Sequence, residues 1–268
     1  IWTFSTLAKE AFRISGVEVP VHRFDHPVDG DLYRRTKPIE WNFAKDLEGK
    51  FVFTTNGQFT ERKNFIDLLL AYILEFRKEK NVALIFKTYQ NDFSPEQCKA
   101  VEEWLVKVRL ATKIPMNEQP AVYLLQRVMP KEEMAGFYST GQAFLWSSRA
   151  EGFGLPLIES ALCEVPVITH TFSSMGDLVT KDTGFIYKHT LTPVFGMPHI
   201  PWYISDQNWA QPDIHDMQRQ MRYAFANPGV CREKGRAARA IALERFSYER
   251  VGRQMRARLE EVLAHRQF

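Results

Sequence analysis

The sequence predicts an α/β domain: a parallel β-sheet with helices on both faces. Two observations carry this. Short apolar runs alternate with amphipathic stretches through the middle of the chain, and cap and turn residues punctuate the changeovers. Residues 51–55 form the first β-prone run. Phe65, Leu68, Leu69, Tyr72, Ile73 and Phe76 then recur at helical spacing, with Asn64 as the expected N-cap. Residues 82–87 are a second buried-type strand. Ser94, Pro95 and Gln97 open the next helix as cap, first position and capping-box partner, and it runs to about residue 108. Residues 122–125 are a third strand, 131–138 a short helix and 143–146 a fourth strand. A helix over 156–163 and a fifth strand over 165–169 follow.

Two stretches break the alternation. Residues 1–50 are irregular and rich in Pro, Asp and Arg, and are expected to be a lead-in segment or linker. Residues 187–213 hold four prolines and no period, and are expected to be an ordered excursion loop. A helix over 213–225 and arginine-rich helices after 230 close the chain. The expected division is 1–50 as linker, 51–246 as the α/β domain, and 247–268 as a C-terminal amphipathic helix. In that helix Val251, Met255, Leu259 and Leu263 make an apolar stripe, flanked by Tyr248 and Val262 and capped by Ser247.

The 268 residues are 45% hydrophobic and 13% aromatic, enough for a sizeable core and unlike a disordered chain. Cys98, Cys163 and Cys231 have no paired spacing and are expected to be reduced, apolar filler in a cytoplasmic protein. No apolar run reaches the roughly 18 residues of a membrane span, and no signal peptide is expected. The chain starts at Ile1 in mid-pattern, so it is expected to be part of a longer or processed polypeptide. A net charge of +3 is too small to imply nucleic acid. From 232 to 268, however, ten Lys or Arg face five Glu. Packing on the chain's own domain, docking to another domain, and peripheral contact with an anionic membrane are the competing uses of that basic helix. The histidines at 22, 26, 170, 189, 199, 215 and 265 have no metal-ligand spacing, and no metal is expected.

In a parallel sheet, ligands bind beyond the carboxyl ends of the strands, which directs attention to the loops 56–63, 128–131 and 147–154. The last of these and the start of the helix after it hold two glutamates, Glu151 and Glu159, separated by seven residues. Gly152 and Gly154 stand between them, and Pro156 suits the first helical turn. Such glycines let backbone approach a ligand, and the amides of a helix N-terminus favour an anion such as a diphosphate. Glu159, one turn in, is placed to flank the buried stripe and accept the two hydroxyls of a ribose. A loop followed by an ordinary helix with one surface Glu is the bland alternative; a lone pair of glycines would not outweigh it.

The run SRAEGFGLPLIESA from Ser148, followed by VPVIT from Val165, resembles retaining glycosyltransferases of family four. Those enzymes have the GT-B fold, two Rossmann-like domains with the active site between them, and the paired glutamates mark the C-terminal, donor-binding domain. The resemblance runs from about residue 51 to the C-terminus, and more faintly over 5–29, where FDHPVD from Phe24 is similar to the stretch leading into that domain. It implies that Glu151 contacts the donor sugar and acts with Lys63 in catalysis, that Glu159 holds the ribose, and that the Phe153 and Gly154 amides meet sugar or phosphate. In GQFTERKN from Gly57, Lys63 matches the phosphate-binding lysine and Arg62 is an adjacent candidate. Gln58 stands where the family often has arginine, which removes one phosphate charge. In QRVMPKEEM from Gln126, Val128 and Met129 lie where the family packs on the nucleobase, with ordinary packing an equal alternative. In TFSSMGD from Thr171, Asp177 stands where the family commonly places a glutamate near the donor sugar.

The function implied is retaining transfer of a sugar from a nucleotide-sugar to a glycan, lipid or protein acceptor. No cofactor or essential metal is expected, and an N-terminal acceptor domain would complete the enzyme. The alternatives are a nucleotide-sugar-binding pseudo-enzyme or partner half of a split enzyme, and, less favoured, a GT-B nucleotide-sugar epimerase. Two-carboxylate glycosidase chemistry is set aside because the glutamates sit among phosphate-binding features. The sugar, the base and the acceptor are not legible in the sequence.

Overall fold

Two short parallel strands, β1 (Trp2–Thr3) and β2 (His22–Arg23), and the helix α1 (Thr6–Ile14) open the chain, followed by α2 (Gly30–Arg35) and α3 (Ala44–Leu47). The computed structural model describes residues 1–35, 39 and 41–264, without the side chains of Arg34 and Arg35. The central sheet then forms from β3 (Phe51–Gln58), β4 (Val82–Tyr89), β5 (Ala121–Leu125), β6 (Ala143–Leu145), β7 (Val167–Thr169) and β8 (Gly184–Ile186). Helices α4 (Phe65–Glu75), α5 (Pro95–Ala111), α6 (Lys131–Thr140), α7 (Leu155–Leu162) and α8 (Met175–Leu178) fall in the crossovers. A hairpin of β9 (His189–Pro193) and β10 (Asn208–Pro212) precedes α9 (Ile214–Ala226), α10 (Pro228–Arg245) and α11 (Tyr248–Ala264).

The six strands are parallel and ordered β5-β4-β3-β6-β7-β8. The order reverses between β3 and β6: successive strands add on one side from β3 to β5, then on the other from β6 to β8. That is the Rossmann-type arrangement, and its ligand crevice lies at the reversal. Strand periodicity builds a core on each face. Phe51, Phe53, Leu84, Phe86 and Leu145 pack with α4, α5 and α9, whereas Val52, Ile85, Phe144 and Trp146 pack with α6 and α7. Burial on both faces explains why these strands read as continuous apolar runs.

The expected strands and helices of 51–169 are all present, each within a few residues of its expected limits. Four details differ. The lead-in segment is not irregular: it carries α1, α2 and α3, and Val28, Tyr33 and Trp41 belong to the core on the α6–α7 face. The excursion loop is built on the β9–β10 hairpin. Asn64 does not cap α4 through its side chain. It sits in the left-handed region (φ 55°), and its Oδ1 accepts from Arg149 Nη2 at 3.0 Å. Ser94 makes no side-chain cap bond either. Its own amide donates to Asp92, and Gln97 is taken by Asn91.

At the C-terminus, Ser247 does cap α11, accepting from the Arg250 amide at 3.2 Å. Of the apolar stripe, Val251 is buried, Met255 half-buried, and Leu259 and Leu263 exposed, as are Tyr248 and Val262. The expected helix runs on to 268, but residues 265–268, including His265, lie outside the described residues.

Candidate functional site: two cations on one glutamate at the sheet reversal

The loops that follow β3 and β6 leave adjacent strands at the point where the sheet order reverses, and they meet. The backbone of one is tied to the other: the Arg149 amide donates to Arg62 O at 2.7 Å, and Ser147 Oγ donates to Lys63 O at 2.9 Å. Lys63 Nζ then lies 2.6 Å from Glu151 Oε1, and Arg62 Nη1 lies 2.9 Å from the same oxygen. Arg62 Nη1 also donates to Ala150 O at 2.7 Å. Lys63 Nζ sits 4.3 Å from the ring centroid of Trp146, a cation–π contact on the last turn of chain leaving β6. Two cations therefore converge on one carboxylate.

Burial governs the charges of this cluster. The Glu151 side chain is 10% exposed and that of Lys63 13%. Burial alone would raise the Glu151 carboxyl, but Lys63 and Arg62 outweigh it and hold it below its ordinary value. Burial pushes the Lys63 ammonium down, against the attraction of Glu151. Ser173 fixes the backbone of Glu151 from the other side, accepting from its amide at 3.2 Å and donating to its carbonyl.

After Glu151 the chain enters α7 through Gly152, Phe153 and Gly154. Gly154 has φ 93°, a left-handed conformation that glycine adopts without penalty. Nothing lies within 4 Å of where a Cβ would stand on Gly152, so that backbone is open to a ligand. Among the described residues the amides of all three take no part in the backbone hydrogen bonds of the turns and caps. No acidic side chain occupies the first turn of α7. An anion placed there would meet the positive end of the helix and the two cations together. The Phe153 ring itself turns away and packs on Phe4, His26 and Phe246.

Glu159 lies in a second cluster. Its Oε2 accepts from Tyr138 Oη at 2.7 Å, and Tyr138 in turn accepts from Asn56 Nδ2 at 2.9 Å. Burial, and secondarily the Glu159 carboxylate, drive the phenols of Tyr33 and Tyr138 far above their ordinary values. Asn56 belongs to the carboxyl end of β3, so Glu159 too is tied to the sheet reversal.

The remaining expected site residues are placed differently. Gln58 donates to Gln90 O at 2.8 Å and faces a cavity beside the site. Val128 is exposed on the loop after β5, while Met129 is buried in the core, so its side chain serves packing. Asp177 is engaged by the lead-in segment: it accepts from the Thr6 amide at 2.8 Å and Thr6 Oγ1 at 2.6 Å, and pairs with Arg23 at 3.2 Å. Its carboxylate thus clamps α1 rather than joining Lys63 and Glu151.

Three neighbours of these clusters escaped sequence reasoning. Arg149, its side chain 5% exposed, stacks near Phe195 and Trp209, bonds Asn64 and lies 3.6 Å from Asp67. It joins the hairpin to the loop that carries Glu151. Trp146 seats Lys63, and Tyr138 holds Glu159. The only sequence signal was their position beside the motif.

His170, fully buried, anchors the same loop. Its Nε2 pairs with Ser148 O at 2.9 Å while its Nδ1 accepts from the Phe172 amide at 3.2 Å, which fixes the neutral tautomer with the proton on Nε2. Burial, and secondarily His189, lowers its pKa to about 4. A lowered folded-state pKa gives stability that is complete above the unfolded value near 6.5 and lost as pH falls through about 4. Acidification across that window is expected to cost about 3 kcal/mol from this residue. Denaturant melts of wild type and His170→Gln, compared at pH 7 and pH 4.5, check it: the wild type should lose more stability than the variant on acidification.

Residues 50–192 match the family model of the glycosyl transferases group 1, and the chain belongs to that family. It is 26% identical over 151 residues to the capsular polysaccharide biosynthesis glycosyltransferase CapM of Staphylococcus aureus, covering 56% of this chain and 36% of that protein. It is 29% identical over 83 residues to the O-antigen chain mannosyltransferase B of Escherichia coli, covering 31% of this chain and 21% of that protein. The chain thus spans well under half the length of these relatives. Among solved structures, Anabaena Alr3699/HepE in complex with UDP and glucose superposes with a TM-score of 0.70 at 17% identity, over 97% of this chain and 62% of that one.

Proposed function

We propose that the chain is the donor-binding half of a retaining glycosyltransferase, with a nucleotide-sugar as its donor. One observation carries this reading: Lys63 and Arg62 converge on Glu151 at the sheet reversal, beside the open N-terminus of α7. In this reading the diphosphate lies against Lys63, Arg62 and the amides of 152–154. Glu151 turns to the sugar hydroxyls, and Glu159 takes the ribose. The leaving diphosphate gains charge as the sugar departs, and preorganised cations and amides stabilise that charge without a metal. The UDP bound by Anabaena HepE makes UDP-sugars the first donors to test.

An acceptor-binding half is part of the proposal. Helix α1 has no buried residue and presents Leu7, Phe12 and Ile14, while α11 presents Leu259, Val262 and Leu263. These apolar faces suit packing against a further domain. Contact with an anionic membrane is the rival use of α11. Among the described residues no helix is long and apolar enough to cross a membrane.

The reaction itself is tested by incubating the chain with UDP-, GDP- and ADP-sugars, alone and with the acceptor half of a relative, and following the anomeric proton by NMR. Transfer or slow hydrolysis that keeps the donor's anomeric configuration is expected. An inverted product would overturn the retaining assignment. Donor binding without turnover, even with the acceptor half, would favour the pseudo-enzyme, and a changed sugar epimer still linked to nucleotide would favour the epimerase.

A further inference from the structure

Beside the Lys63 and Glu151 cluster lies a cavity of about 370 Å³, within the range of small-molecule sites. Its walls come from three places: the loop after β3, the end of β4 with α5, and the tip of the β9–β10 hairpin. Lys63, Glu151 and Glu159 are not among its lining residues. It shares Arg62 and the rest of the β3 loop with the site described above.

The lining is a mixture of two kinds. Trp104 of α5 and Trp202 of the hairpin tip leave 41% and 68% of their surface exposed. Large indoles at a rim present flat apolar surface that water covers poorly. The same cavity is lined by half-buried polar groups with free bonding capacity. Among the described residues the Glu61 carboxylate makes no hydrogen bond or ion pair, Gln58 uses only its amide nitrogen, and the Gln90 side chain has no partner.

Charge decides which ligand these walls suit. Arg62 lines the cavity, but its guanidinium is already held by Glu151 and Ala150 O. Glu61 makes no ion pair, although Arg149 feels its charge, and its carboxylate disfavours a phosphate or carboxylate ligand. An uncharged ligand with many hydroxyls fits instead. A carboxylate and two amides accept and donate to neighbouring hydroxyls, and indoles cover the C–H faces of a sugar ring.

The hairpin tip is held in place over this cavity. Gly196 has φ 74°, and a Cβ there would stand 2.5 Å from Glu61 Cγ, so only glycine lets the tip come this close to the β3 loop. Arg149 holds the next residue back, Phe195, with its centroid 4.7 Å from the guanidinium. The wall that bears Trp202 is therefore braced against the loop that bears Glu151.

We propose that this cavity is a binding site for a neutral oligosaccharide, separate from the nucleotide site, with Trp104 and Trp202 as stacking platforms and Glu61, Gln58 and Gln90 as hydroxyl partners. Saccharide binding here does not depend on the transferase reading. If that reading holds, the ligand is a glycan on which the enzyme acts.

The test uses maltotriose, an α-linked mannotriose and lactose as probes, without nucleotide, followed by tryptophan fluorescence and by NMR of the sugar protons. At least one probe is expected to bind at millimolar concentration. Trp202→Ala and Glu61→Gln are each expected to weaken it about tenfold or more, equivalent to about 1.4 kcal/mol. Both residues are at the surface or half-buried, and a parallel titration with UDP checks that the variants keep the nucleotide site. Failure of all three probes to bind the folded wild type would overturn the proposal, as would binding unchanged in both variants. Saccharide binding in a chain that binds no nucleotide would uphold it while overturning the donor-domain reading.

Discussion

Lys63→Ala is expected to weaken nucleoside-diphosphate binding by about ten- to hundredfold while leaving nucleoside binding nearly unchanged. A hydrogen bond to a charged group contributes about 1.5–3 kcal/mol, which is that range of affinity. Lys63 is the more buried of the two cations, and Gln58 supplies no third charge to the loop. The variant should still fold, because Arg62 remains 2.9 Å from Glu151 and keeps that carboxylate paired. Glu151→Gln should act with the opposite sign. In the free chain Glu151 holds both cations, so a diphosphate must compete with it. Removing its charge should leave diphosphate affinity no weaker, and donor-sugar recognition should fall instead. Breaking the pair from this side strands two partly buried cations, so Glu151→Gln should cost more stability than Lys63→Ala. Calorimetric titration with uridine, UDP and a UDP-sugar, alongside denaturant melts, separates these effects. Equal losses for nucleoside and diphosphate in Lys63→Ala would mean that Lys63 acts on structure alone.

Glu159 gives the second large effect, and the pair of variants Glu159→Ala and Glu159→Gln resolves it. Truncation to alanine removes the acceptor of the buried Tyr138 hydroxyl as well as any ribose contact. It should cost about 1–3 kcal/mol of stability, the desolvation penalty of an unsatisfied buried group. Glutamine keeps an oxygen for Tyr138 but loses the carboxylate, so it should fold nearly as wild type. Both variants are expected to lose about tenfold or more in affinity for UDP relative to wild type. Unchanged UDP affinity in a folded Glu159→Gln would show that Glu159 braces the end of β3 and has no role at the ribose.

The site was legible where local chemistry and topology agree. Lys63 and Glu151 are 88 residues apart, yet their loops follow strands that a parallel α/β pattern sets side by side at the reversal of strand order. Their contact follows from alternation of elements, which is a strong signal. Glu159 was legible as a residue but not as a partner of Tyr138, because a contact between α6 and α7 depends on how two helices pack. The caps failed for a related reason: Asn64 and Ser94 have the right chemistry, but Arg149 and Asp92 compete for their polar groups. Asp177 was read from its resemblance to a family position near the donor sugar, and only the fold shows Thr6 and Arg23 arriving from the other end of the chain. Strand β8 and the hairpin strands were not read from the sequence, because no amphipathic helix of the alternating pattern sets them off.

The central claim is that the loops at the sheet reversal hold a nucleotide-sugar. Calorimetric titration of the wild type and Lys63→Ala with UDP-, GDP- and ADP-sugars tests it most directly. The account predicts that one nucleotide class binds with a saturable isotherm and that the variant loses about tenfold or more of that affinity. A folded wild type that binds none of the three classes up to millimolar concentration, or a donor bound equally well by Lys63→Ala, would contradict it.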